Sequence, residues 1–145
     1  MKNFDENYWQ FIDKNLQGDC YFIANLELST LLLLNDENYP WLILVPRLSN
    51  VFDLTDLDFE DQKTLLKEIN FCSQFLKNNF QVDKLNIASL GNIVKQLHIH
   101  IIARNKDDIT FPKPVWGNSM AKKYQNKNAD ELIVKIRQFI ITNNI

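Results

Sequence analysis

The stretch Gln96-Leu97-His98-Ile99-His100-Ile101-Ile102 is the most strongly patterned in the chain. Polar and apolar residues alternate from Gln96 to Ile101, the period of a half-buried strand. Alternate residues of a strand share a face. Gln96, His98 and His100 are therefore expected to project together, with Leu97, Ile99 and Ile101 turned into a core. The same pattern extends the strand over residues 95–104 and puts Arg104 on the histidine face. The turn Gly91-Asn92 precedes it.

Working outward, a short strand is expected over residues 85–89 and a long helix over 59–79. Asp58 is the expected N-cap of that helix, with Glu60 and Asp61 in its favoured first turn. Leu65, Ile69, Cys72 and Leu76 form one apolar stripe, widened by Leu66 and Phe80. Three strands come earlier, over residues 20–26, 28–35 and 41–45. A polar turn separates the last two, and Pro46 ends the third. Residues 48–57 read as a loop, whose acidic run into the helix reads as a solvated entry.

At the start of the chain, Phe4, Tyr8, Phe11, Ile12 and Leu16 recur at helical spacing. They predict one helix over 5–17, ended by a left-handed Gly18. Residues 105–128 hold Pro112 and Pro114 and read as irregular. Asn128, with Glu131 three residues on, is the expected cap of a last helix. Its buried face is Leu132, Ile136, Phe139 and Ile140. Helix, three strands, helix, two strands, helix is an α+β order with a mainly antiparallel sheet. One domain is expected over 1–145, with a core at about 20–104 and a tail and helix over 105–145.

Composition narrows the function. With 46% hydrophobic and 23% charged residues, the 145-residue chain has an ordinary globular balance. A net charge of -2 argues against a constitutive nucleic-acid partner or a polybasic membrane binder. The longest apolar run, Leu31 to Leu34, is far short of a membrane span. Cys20 and Cys72 are too few for a disulfide scaffold and read as buried thiols. A cytoplasmic protein is expected.

A row of imidazoles on one strand face can supply a nucleophile, a base, a phosphate ligand or a metal ligand. A zinc centre needs three or four protein ligands. With two histidines in the chain, carboxylates or thiols would have to complete it, and the cysteines lack ligand spacing. The bland alternative is a pair of surface histidines on a half-exposed strand.

Residues 96–104 resemble the signature strand of the histidine triad (HIT) superfamily, His-φ-His-φ-His-φ-φ, in which φ is apolar. Gln96 stands at the first histidine. The resemblance continues through residues 31–47, a strand–turn–strand ending in an apolar run and Pro46, and through the loop Phe52-Asp53-Leu54 and its long helix. Gly91 and Asn92 match in order. The tail Phe111-Pro112-Lys113-Pro114-Val115-Trp116-Gly117 resembles a bacterial branch of diadenosine tetraphosphate hydrolase-like HIT proteins that also carries Gln-Leu-His-φ-His.

This resemblance implies a HIT fold, commonly a homodimer paired through the long helix and a sheet edge. It implies a nucleotide hydrolase or nucleotidyl transferase acting at an α-phosphorus, with dinucleoside polyphosphates among its substrates. No cofactor and no obligatory metal are implied. His98 takes the nucleophile's position, with its ring oriented by the main-chain carbonyl of residue 96. His100 and Gln96 would hydrogen-bond the phosphate. Asn92 falls near the leaving oxygen and Asn35 near the ribose. Arg47 suits phosphate. Trp41 and the apolar residues 31–33 would flank the base.

Two positions depart from the family: Gln96 replaces a histidine, and Trp41 stands where many members have another. Glutamine can donate a hydrogen bond but carries no charge. The alternative is therefore a non-catalytic nucleotide-binding or interaction protein on the same fold. Arg47 and Arg104 each read equally as a phosphate ligand or a surface ion pair. Trp116 reads as packing, the alternative being a tail folded back on the site.

Overall fold

The structure is a computed structural model and describes residues 4–145. Five strands form one antiparallel sheet in the order β1-β2-β3-β5-β4. They are β1 (Cys20–Asn25), β2 (Ser29–Leu34), β3 (Trp41–Pro46), β4 (Lys84–Ala88) and β5 (Ile99–Arg104). Helices α1 (Lys14–Asp19), α2 (Phe59–Asn79) and α3 (Asn126–Asn143) complete it. This is the α+β order read from the sequence.

Both faces of the sheet are covered. One carries the main core, where Leu31, Leu33, Leu42 and Leu44 meet Leu65, Cys72, Phe75 and Leu76 of α2 and Ile133, Ile136 and Ile140 of α3. Leu97, Ile99 and Ile101 join this side, as alternation requires. The other face buries Leu32, Trp41, Ile43, Val45 and Ile102 under Ile12 and Leu16 of the N-terminal segment and Val115 of the tail. Asp58 caps α2, accepting from the Asp61 amide at 2.8 Å. Both cysteines are buried and free, and burial pushes the Cys20 thiol up to about 12.

Several boundaries differ from the expectations. The single helix over 5–17 is instead a 3₁₀ segment, Glu6–Phe11, followed by α1. Between them Ile12 is extended and Asp13 is non-helical, with ψ 139°. Asp13 is an N-cap, accepting from the Asn15 amide at 2.8 Å, which its residue type favours. Gly18 lies within α1 and has no positive φ. Tyr8 and Phe11 are exposed, not core. Leu66 is 66% exposed, so the α2 stripe is narrower than its composition suggests.

Strand β5 begins at Ile99, four residues late, because the Leu97 amide turns to the Val51 carbonyl (3.0 Å) instead of a neighbouring strand. The last helix starts at Asn126. Asn128 lies inside it, and its side chain donates to Glu37.

Candidate active site

β5 is a central strand, paired to β3 (Ile43 with His100) and to β4 (Ala88 with His100). His100 is thus fixed by hydrogen bonds on both sides. His98 lies just before the strand, on the same face. Their rings meet edge to face with centroids 4.9 Å apart. The shared face held, but the exposure did not: His98 is 6% and His100 7% accessible. The tail provides the cover. Trp116 packs edge to face on His100 (5.3 Å) and on Trp41 (5.7 Å), and the turn is continued by Gly117 at φ +73°. The tail therefore does fold back on His100.

The hydrogen bonds decide the tautomers. His98 Nδ1 lies 2.7 Å from the carbonyl oxygen of Gln96. A carbonyl only accepts, so Nδ1 carries the proton and neutral His98 has its lone pair on Nε2. Trp41 Nε1 donates to His100 Nδ1 at 2.9 Å. An indole N–H only donates, so neutral His100 carries its proton on Nε2. Burial, with His98 adjacent, lowers the His100 pKa to about 4, which keeps this ring neutral near pH 7. The pair presents one nucleophilic nitrogen and one N–H donor, the two opposite functions a phosphoryl centre requires.

Gln96 is placed differently from a catalytic donor. Its Oε1 accepts from the Asp13 amide at 2.8 Å, and its Nε2 donates to the Phe11 carbonyl at 3.1 Å. Both ends of the carboxamide engage the N-terminal segment. Trp41 is 6% exposed and flanks His100, and residues 31–33 are fully buried. None of these is an open wall for a base.

Arg47 spends its Nη2 on the carbonyls of Leu26 (2.8 Å) and Glu27 (2.9 Å), and its guanidinium lies 5.1 Å over the Tyr8 ring. The buried Glu68 carboxylate acts on it electrostatically. Its first role is to hold the β1–β2 hairpin. Asn92 is exposed in the turn after Gly91, which adopts φ +73°.

Asn35 is not brought to the histidines. The strand register sets it level with residue 40 and His98 level with residue 45. Five rungs, on the order of 16 Å, separate those levels. Its Oδ1 accepts from the Tyr124 amide at 2.8 Å.

A cavity of about 810 Å³ adjoins Gln96, within the usual range for a small-molecule site. Tyr8, Phe11, Phe52 and Ile93 supply apolar walls, and Arg47 and Lys95 supply positive charge. Sequence reasoning missed Tyr8 and Phe11 as site residues by assigning them to a buried helix face. The one available signal was Asp13, which reads as an N-cap that splits that helix. Among the described residues, no group of three or more His, Cys, Asp or Glu side chains is arranged to hold a metal ion. No helix among them is long and apolar enough to cross a membrane.

The chain is similar to known proteins in sequence and fold. A family model described as the HIT domain matches residues 15–107. A histidine triad protein from Bradyrhizobium japonicum is 42% identical, with 89% of this chain and 96% of that one covered and a TM-score of 0.86. A histidine triad protein from Marinobacter aquaeolei is 34% identical, covering 90% and 96%, also at 0.86. The bis(5'-adenosyl)-triphosphatase of Saccharomyces cerevisiae is 29% identical over 107 residues, 66% of this chain and 52% of that protein. The chain thus spans about half the length of the curated relatives it matches. From the matched family model and the 42% identical structure, the chain belongs to the HIT family.

Proposed function

We propose that the protein is a nucleotide hydrolase or nucleotidyl transferase that attacks an α-phosphorus through His98, with dinucleoside polyphosphates as the leading substrate class. The observation that carries this is the complementary protonation of the two buried rings. The Nε2 lone pair of His98 attacks phosphorus, and the bond from phosphorus to the leaving phosphate oxygen breaks with its electron pair. The nucleotidyl-histidine so formed bears positive charge on the ring, and the Gln96 carbonyl at Nδ1 stabilises it. Water, or another acceptor, then attacks phosphorus and the N–P bond breaks back to His98. His100 Nε2–H donates to a non-bridging oxygen as charge builds. Asn92 would reach the leaving oxygen, and the cavity beside Gln96 would take the nucleoside. Splitting one displacement into two is the gain of covalent catalysis.

The low accessibility of both rings, with Trp116 packed on His100, favours a second reading, a nucleotide binder without turnover. One experiment separates the two. The protein is incubated with diadenosine triphosphate and tetraphosphate, with and without chelator, and examined by intact mass spectrometry. A nucleotidyl adduct or turnover that survives chelation and disappears in His98→Ala supports the hydrolase. Binding without either, unchanged in His98→Ala, supports the binder.

A further inference from the structure

Gln96 occupies the first position of the signature strand, yet its side chain faces the N-terminal segment instead of the reaction centre. Its contact there has a specific form. Oε1 accepts from the amide of Asp13 and Nε2 donates to the carbonyl of Phe11. A planar carboxamide that bonds the N–H of one residue and the C=O of the residue two before it copies the way one residue's own N–H and C=O pair with a neighbouring parallel strand. In a continuous helix those two groups would be paired within the helix, the Asp13 amide to Trp9 and the Phe11 carbonyl to Asn15. The carboxamide takes both, and the chain is extended at Ile12 and non-helical at Asp13 (ψ 139°) instead. The Gln17 side chain donates to the Ile12 carbonyl and to the Trp9 carbonyl, which also accepts from the Ile12 amide. An imidazole could not replace this grip, because its two ring nitrogens point in divergent directions.

The break matters because of what it displays. Tyr8, Phe11 and Ile12 form one wall of the cavity, and Gln96 lies in the same lining. Phe11 is 67% exposed there instead of being packed into a core.

We propose that Gln96 is a positioning residue for substrate affinity: its carboxamide clips the Phe11–Asp13 break to the histidine-bearing strand and so fixes the aromatic wall of the adjoining cavity. The inference rests on the functional reading above for the ligand, a nucleotide with a planar base and an anionic phosphate chain. The cavity's aromatic rings and its Lys95 and Arg47 charges fit those two parts. On this view the residue at the first triad position sets KM and leaves the chemistry to His98 and His100.

The test uses Gln96→Met, which keeps the shape and removes both hydrogen bonds, and Gln96→Glu, which keeps the acceptor and turns the donor into a second acceptor facing the Phe11 carbonyl. Three quantities are read: kcat and KM on diadenosine tetraphosphate, Kd for a non-hydrolysable analogue, and hydrogen exchange at the Asp13 amide. Two lost hydrogen bonds predict a rise of about tenfold in KM and Kd for Gln96→Met, with kcat within about threefold. The loss should be larger for Gln96→Glu. Asp13 exchange should accelerate in Gln96→Met. The effects of Gln96→Met and Phe11→Ala on Kd should fall well short of additive, because both act through one wall.

A fall in kcat at unchanged KM would make Gln96 a participant in the chemistry and overturn the proposal. So would unchanged Asp13 exchange, or full additivity with Phe11→Ala. If the wild-type chain turns over no nucleotide, the hydrolase reading fails on its own. The clip is then judged by Kd and by exchange, where an unaltered Kd in Gln96→Met overturns it.

Discussion

Two buried polar clusters lie on the same face of the sheet, at opposite ends of β5. At the far end Arg104 is 2% exposed, and every nitrogen of its guanidinium donates. Nε and Nη2 reach Asp108 at 2.7 and 3.0 Å, Nη1 reaches Asn86 at 2.9 Å, and Nη2 also reaches Thr110 and the Lys113 carbonyl. Tyr39 closes the cluster, its hydroxyl 2.8 Å from that of Thr110. At the near end each imidazole has one nitrogen bonded to the protein, and no group of the described residues bonds the other. A buried polar group with all its valences met is structural, since leaving any unmet would cost stability. A buried group with one valence held open is set up for a ligand. The Arg104 cluster holds the tail that carries Trp116, so the closed end supports the open one.

The comparison breaks most sharply at His98. Replacing it with alanine should lower kcat on a dinucleoside polyphosphate by at least about 10³-fold, with little change in the thermal midpoint. If activity persists, the open valence is not the nucleophile. Arg104→Met should do the opposite. Leaving the Asp108 carboxylate buried and unpaired costs about 3–5 kcal/mol, read by denaturant unfolding. Removing both charges, in Arg104→Met with Asp108→Leu, should recover a large part of that loss.

A third measurement sharpens the contrast in pH. Burial would pull the Asp108 carboxyl up, but the Arg104 guanidinium and the Thr110 and Phe111 amides outweigh it and hold its pKa at about 2. Its stabilisation persists above the ordinary carboxylate range and is lost only in strong acid. The His100 pKa is depressed from 6.5 to about 4. The unfolded chain therefore binds this proton first as pH falls. His100 contributes fully above about pH 6.5, and stability declines between 6.5 and 4, by on the order of 3 kcal/mol. Urea unfolding across that window should show the slope in the wild type and a shallower one in His100→Gln.

The smallest expected effect is at Trp41. Trp41→Phe keeps the ring contact but frees His100 Nδ1, so both tautomers become available. A stability loss of about 1 kcal/mol beyond the change in packing is expected. His100 should also titrate higher, visible by NMR of the ring protons. An unshifted titration would show that the indole does not set the tautomer.

How much of this was legible varies by residue. Alternation over residues 96–101 was read correctly because a strand's two faces differ in what they meet. The carbonyl behind His98 was implied by the family resemblance, and it lies 2.7 Å from Nδ1. Gln96 was misplaced because its partners lie 83 and 85 residues earlier, at a break that apolar spacing reads as continuous helix. Trp41 is 59 residues from His100, and nothing local reveals that its indole becomes that ring's hydrogen-bond partner. Arg104 was weighed as a surface ion pair, because its sequence context does not show that Tyr39, Asn86 and Thr110 close around it. Asn35 sits at a strand end like a ligand, but the register moves it away.

The sequence by itself determined the element order, the antiparallel α+β class and which face carries the two histidines. These follow from periodicities and turn residues that act over a few positions. Only the tertiary structure decided which nitrogen of each ring is free, how deeply the pair is covered and what Gln96 holds. Those outcomes depend on donors and acceptors brought together from distant parts of the chain, and a buried hydrogen bond is specified by where its partner lies in space.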